Sequence, residues 1–227
     1  MNKERIELVV FDMAGTTVND AGAVHTALQE ALKFINVNVG YDEINEVMGY
    51  PKPKAIEVLL TKYKPELCQA KVINEVHTRF VNLMIDHYKF APGVDEKHGA
   101  SDIFRILKSD NVKVAIDTGF SFDIASVIID RLGWNEDSLI DVLVTSDQVD
   151  QGRPFPDMIF KAMKLTGVLD PNRVAKIGDT ISDLQQGNAA GVKYVIGVTS
   201  GAYKSDELMK EKHTHLVSHL EEIIPIV

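Results

Sequence analysis

From Lys113 onward, short apolar runs alternate with stretches whose apolar residues recur at helical spacing. Lys113–Ile116, Asp141–Thr145, Val174–Ile177 and Tyr194–Val198 read as strands, with His215–Val217 as one more. Phe122–Leu132, Pro156–Leu165 and Leu184–Ala190 read as the helices between them. Such alternation implies a parallel sheet covered on both faces, because each crossover carries a helix over the sheet. Another apolar run, Glu7–Phe11, lies far upstream. The block between is helical in pattern, with Val24, Leu28, Ala31, Leu32 and Ile35 on one face and a short helix around Ile44–Met48. Helices resume at Ala55–Tyr63 and Glu66–Tyr88, the latter with Ile73, Val76, Phe80, Leu83 and His87 in a stripe. Pro51 and Pro53 disfavour a helix through Gly49–Lys54, and Pro92-Gly93 reads as a linker. The expected architecture is α/β. A doubly wound, Rossmann-like parallel-sheet core spans residues 1–18 plus 92–227, and an inserted all-helical cap spans 19–91.

The 227 residues and 45% hydrophobic content suffice for a packed core plus a small insert. A single cysteine, Cys68, excludes an internal disulfide and a cysteine-rich zinc site, and fits a reducing compartment. The first residues lack the apolar run of a secretory signal, and no stretch approaches the ~20 apolar residues of a membrane helix. The expectation is a soluble, cytoplasmic chain with no membrane partner. The formal net charge of -9, with no basic cluster beyond Lys52 and Lys54, argues against nucleic acid. An anionic ligand must then be drawn by a local site, since the global field opposes it.

In open parallel sheets, ligands bind beyond the carboxyl ends of the strands. Unusual polar residues gather there in this sequence. Asp12 follows the first strand, Asp117-Thr118-Gly119 the second, Gly152-Arg153-Pro154 comes shortly after the third, and Gly178-Asp179-Thr180-Ile181-Ser182-Asp183 follows the fourth. Each has an ordinary alternative. Asp12 could be a turn residue, Thr118 or Asp183 a helix cap, and Arg153 a surface residue.

Together, in order, these segments resemble the four motifs of the haloacid dehalogenase superfamily. The resemblance implies phosphoryl transfer, in which positioning and charge neutralisation carry most of the catalysis. It makes Asp12 the nucleophile that forms an aspartyl-phosphate. It implies Mg2+ held by Asp12, the backbone carbonyl of Ala14 and Asp179, with Asp183 in the outer shell. Thr118 and the Gly119 N–H would hold phosphoryl oxygens, and Arg153 would neutralise charge.

Most members place an aspartate two residues after the nucleophile, to protonate the leaving group. Here that position is Ala14. The run Asp12-Met13-Ala14-Gly15-Thr16-Thr17-Val18 closely resembles the opening of the phosphonoacetaldehyde hydrolase branch, where a cap lysine forms an imine with the substrate aldehyde. The iminium is an electron sink, so a P–C bond can break without an acid. The branch's Met-Gly-x-x-Lys segment matches Met48-Gly49-Tyr50-Pro51-Lys52, which makes Lys52 the candidate amine. Its alternative is a cation that only attracts phosphate. Three positions depart from the branch: Ala55 for a histidine thought to move protons at the imine, Gly22 for a cysteine, and Phe120 for a tyrosine.

The leading expectation is thus a phosphonatase-like hydrolase that cleaves a P–C or P–O bond in a small phosphonate or phosphate metabolite, with phosphonoacetaldehyde the best single substrate. A phosphomonoesterase without imine chemistry is the second reading, and a regulatory binder of metal and phosphate the third. Lys54 is expected as a solvated neighbour, Met48 and Tyr50 as possible pocket residues. His25, His77, His87 and His98 lack metal-ligand spacing. Hinges are expected near 18–21 and 90–93, and the resemblance implies a possible homodimer.

Overall fold

The computed structural model describes residues 5–227; residues 1–4, the start of the expected core segment, lie outside the described residues. Six strands form one sheet: β1 (Leu8–Phe11), β2 (Lys113–Thr118), β3 (Val142–Thr145), β4 (Val174–Gly178), β5 (Tyr194–Val198) and β6 (His215–Val217). Their order is β3-β2-β1-β4-β5-β6, and every neighbouring pair is parallel. Every residue of β1 and β4 is buried, as befits central strands covered on both faces.

The register places the functional motifs. Phe11 pairs with both Ile116 and Ile177, so Asp12, Asp117 and Gly178 lie at one level at the carboxyl end of the sheet. The strand order reverses between β1 and β4, which opens a crevice where Asp12 and Asp179 emerge.

The segment between β1 and β2 carries α1 (Ala23–Lys33), α2 (Tyr41–Asn45), α3 (Lys52–Tyr63), α4 (Ala70–Phe90) and α5 (Ala100–Ser109). Helix α4 packs against α1 and α3, and also against α6 (Phe122–Arg131). Helices α7 (Asp157–Thr166) and α8 (Ile181–Ala190) cross the sheet between later strands, and a short α9 (Ser205–Leu208) precedes β6.

Four sequence expectations need correction. The buried face of α4 is Val76, Phe80, Met84 and Tyr88, whereas Ile73, Leu83 and His87 lie at its margin. A strict i, i+4 row faces the partner helices. The short helix expected around Ile44–Met48 lies earlier, at Tyr41–Asn45. Helix α3 starts at Lys52, inside the expected loop, with Pro53 in its first turn. That turn has no intrahelical N–H bond to lose, so proline is tolerated. Finally, α5 is an element absent from the expectations, although Ile103, Phe104 and Leu107 form a readable buried face.

The two connections to the helical segment lie side by side. Val18 bridges Glu96 antiparallel, Asn19 N–H donates to the Asp95 carbonyl (3.0 Å), and Lys97 N–H donates to the Thr17 carbonyl (2.8 Å). Among the described residues, no helix is long and apolar enough to cross a membrane.

Candidate active site

Asp12 is the first residue past β1, and its N–H still donates to Ile177 across the sheet (2.9 Å). The chain then turns sharply. Gly15 N–H donates to the Val18 carbonyl (2.9 Å), and the Thr17 hydroxyl donates back to the Asp12 carbonyl (2.9 Å). Gly15 has φ +89, and a Cβ there would sit 2.3 Å from Asp179 Oδ2. Only glycine lets this turn press against the second carboxylate.

Asp12, Asp179 and Asp183 are buried and offer carboxylate oxygens within 4.8 Å of one another; no other metal-competent group of acidic, histidine or cysteine side chains occurs among the described residues. Two buried cations stand among them. Arg153 Nη1 contacts Asp12 Oδ1 (2.7 Å) and Asp183 Oδ1 (3.1 Å), while its Nη2 contacts Asp117 Oδ1 (2.6 Å). Lys176, a wholly buried residue of β4, pairs with Asp117 and with Asp183 (3.0 Å).

Asp179 has only neutral donors among the described residues: the Thr16 hydroxyl (2.8 Å) and the Ala202 N–H (2.6 Å). Burial, reinforced by the Asp12 and Asp183 charges, pushes its pKa up to about 8. Burial likewise raises Asp12 to about 6, against the pull of Arg153. Burial would raise Asp183 too, but Arg153 and Lys176 outweigh it and hold the carboxyl below its usual range. The uncompensated carboxylate at Asp179 and the all-oxygen donor set fit a hard divalent cation. Asp183 is also the third helical residue of a capping box at the start of α8, accepting from the N–H of the N-cap Thr180 (3.2 Å).

Lys52 approaches from the helical segment. It is the first residue of α3 and 4% exposed, its Nζ contacts the Tyr50 carbonyl (3.5 Å), and it stands 5.7 Å from the centre of the Phe120 ring. Burial lowers its pKa to about 8, and the positive end of a helix acts in the same direction. The preceding loop is seated on the sheet's rim at Gly49, where a Cβ would fall 2.2 Å from Ser182 Oγ.

One small cavity is lined by Asp12, Ala14, Lys52, Thr118, Gly119 and Arg153, together with Met48, Gly49 and Phe120. The Thr118 hydroxyl oxygen accepts from the Phe120 N–H (3.2 Å), which leaves its own hydrogen available to a ligand. The cavity has about 20 Å³ of free space, water-sized rather than substrate-sized. Ala14 and Met48 also border an outer cleft of about 580 Å³ that reaches Asp20, His25 and Asp179.

Not every expected neighbour belongs here. Lys54 is exposed and pairs with Glu57 (2.8 Å), as expected of a solvated side chain. Tyr50 borders not this cavity but an adjoining cleft with Pro51 and Phe155, which Arg153 also lines. Conversely, Lys176 and Asp117 were not singled out as site side chains. A lysine inside the otherwise apolar run Val-Ala-Lys-Ile is itself a signal, because a buried ammonium requires a carboxylate partner.

Residues 9–198 match the family model described as haloacid dehalogenase-like hydrolase. Phosphonoacetaldehyde hydrolase from Bacteroides fragilis is 28% identical over 230 residues, covering 96% of this chain and 84% of the relative. The enzyme of that name from Bacillus cereus is 28% identical over 239 residues, covering 98% and 87%. Among solved structures, a phosphonoacetaldehyde hydrolase-like protein from Oleispira antarctica superposes with a TM-score of 0.85 at 20% identity, covering 99% of this chain and 92% of that one.

Proposed function

The chain belongs to the haloacid dehalogenase-like hydrolase family, and from that premise we propose that it is a magnesium-dependent phosphonatase-like hydrolase acting on phosphonoacetaldehyde or a close analogue. The observation that carries this reading is Lys52: a buried amine of depressed basicity lines the same cavity as Asp12. Helices α1–α4 act as a cap over the core, which brings the amine to the carboxylate.

In this account the neutral Lys52 amine attacks the aldehyde carbon and, with loss of water, forms an imine. An oxygen of Asp12 attacks phosphorus, and the P–C electron pair flows into the protonated imine to give an enamine. The aspartyl-phosphate is then hydrolysed, and the enamine is protonated and hydrolysed to acetaldehyde. No acid is needed on the leaving carbon, which suits alanine at position 14. Arg153, Thr118 and the Gly119 N–H orient the phosphoryl oxygens. Asp12, the Ala14 carbonyl and Asp179 would hold magnesium, with Asp183 behind them. When bound, magnesium lets two anions approach by neutralising charge. Closure of the cap excludes water while the imine exists.

A phosphate-release assay on phosphonoacetaldehyde and on esters lacking a carbonyl tests the proposal. Lys52→Ala should abolish release from phosphonoacetaldehyde. The second reading, a phosphomonoesterase, draws on Ala55, which is fully buried and offers no titratable group beside the amine. Turnover of the esters, indifferent to Lys52→Ala, would establish it instead.

A further inference from the structure

Gly152 does not need to be glycine for the sake of its backbone. It lies in the connection between β3 and α7, outside the left-handed region that other residues avoid. A glycine there loses more chain entropy on folding than alanine would, and what it offers in return is close approach. A Cβ at this position would fall 2.3 Å from Pro51 Cγ, 3.3 Å from its Cδ and 3.6 Å from its Cβ, the three nearest atoms among the described residues. The bare Cα is thus pressed against the proline ring and against nothing else as closely.

The two residues in contact each precede a residue of the site. Pro51 is the N-cap of α3 and precedes Lys52, the first helical residue. Gly152 precedes Arg153, whose Nη1 holds Asp12 Oδ1 at 2.7 Å. One van der Waals contact therefore links the segment that carries the amine to the segment that carries the guanidinium on the carboxylate. Tyr50, one residue further back, is held as closely. A Cβ on Gly119 would fall 2.8 Å from the Tyr50 carbonyl oxygen, the same oxygen that Lys52 Nζ approaches at 3.5 Å.

We propose that Gly152 is a positioning residue: its missing side chain lets Pro51 settle at the depth that brings the Lys52 amine to the Asp12 carboxylate. The inference rests on the imine reading above and names what fixes the spacing of its two reacting groups. A shift of Pro51 carries the start of α3, and Lys52 with it. With a methyl group at position 152, the proline ring must withdraw by about 1 Å to reach the 3.4 Å of ordinary contact. Misplacement of reacting groups on that scale costs about 10²-fold in rate.

The test is Gly152→Ala made in two backgrounds, wild type and Pro51→Ala. The second background lacks the proline Cγ and Cδ and keeps only a Cβ at an ordinary 3.6 Å. With phosphonoacetaldehyde and borohydride, Gly152→Ala should slow trapping at Lys52 about 10²-fold in the wild-type background and hardly at all in the Pro51→Ala background. Metal-dependent affinity for inorganic phosphate should be unchanged by Gly152→Ala, because Arg153 and Asp12 stay in place. Trapping at the wild-type rate in Gly152→Ala, or an equal loss in both backgrounds, would overturn the positioning role while leaving the imine reading intact. A fall in phosphate affinity would overturn it too, since the core and not the loop would then have yielded. A glycine with a purely structural role would lower Tm and leave the trapping rate alone, which counts against the proposal equally. Absence of any trapping at Lys52 in the wild type would remove the imine reading and the positioning role with it.

Discussion

Arg153 and Asp12 form a buried ion pair at 2.7 Å, and the same guanidinium reaches Asp183 at 3.1 Å and Asp117 at 2.6 Å. One planar fork thus ties the proposed nucleophile to carboxylates from β2 and α8. A lysine ammonium is a point charge and cannot span the three. Arg153→Lys should lower kcat/KM about 10²-fold or more, on the scale of losing one preorganised charge contact. Steady-state phosphate release measures this. Wild-type activity in Arg153→Lys would show that the fork is dispensable.

Lys176 anchors the other side of the network. Replacing it by methionine leaves Asp117 and Asp183 with less compensation inside the core. Loss of one partner from a buried pair costs about 3–5 kcal/mol. Urea unfolding of Lys176→Met should show a fall of that order, with an unchanged m-value.

The Lys52 amine gives a pH signature of defined sign. Its pKa is lowered to about 8 in the folded protein, and the proposed attack on an aldehyde requires the neutral amine. Imine formation should therefore accelerate as pH rises toward about 8 and level off above it. Stability moves the same way. Between about 8 and the unfolded value of ~10.4, only the unfolded chain holds this proton, so this group's contribution to stability rises with pH. Lys52→Met should remove that rise and stabilise the protein at neutral pH.

In the proposed metal site, Asp179 would link metal binding to pH. Its folded pKa of about 8 exceeds the ordinary carboxylate value. Stability from this group is therefore lost as pH climbs from ~4 toward 8 in chelator-treated protein, since over that range the folded form still holds a proton that the unfolded chain releases. Magnesium should raise Tm more at pH 8 than at pH 6, because it competes with that proton. Asp179→Asn should raise the Tm of the metal-free protein and abolish the magnesium response. Equal shifts at both pH values would contradict the assignment.

Gly49 seats the lysine-bearing loop. It has φ +82, and a Cβ would meet Ser182 Oγ at 2.2 Å and Thr180 Oγ1 at 2.5 Å. Gly49→Ala should cost about 1–3 kcal/mol of backbone strain and steric conflict when the loop is seated. The imine-forming rate should fall with it, as stopped-flow trapping would register.

The sheet and its rim were legible because a parallel strand buried on both faces is an apolar run, and because a polar residue directly after one has few structural reasons to be there. Asp12, Thr118, Arg153 and Asp179, which the structure brings to one rim of the sheet, are legible this way. The start of α3 was missed because two prolines read as a breaker, although a first helical turn accepts them. Lys176 was overlooked because strand periodicity attends to the apolar neighbours and passes over the exception. The α4 stripe was placed one residue off along the last two turns, where i+3 and i+4 spacing both fit.

A borohydride quench during turnover of phosphonoacetaldehyde, followed by peptide mass spectrometry, examines the amine and the carboxylate together. Wild-type protein should carry an ethyl group on Lys52, left after P–C cleavage. Asp12→Asn should carry the uncleaved phosphonoethyl group on the same nitrogen. Phosphate release with Lys52 unmodified, or an ethyl adduct formed without the Asp12 carboxylate, would contradict the joint action of these two residues.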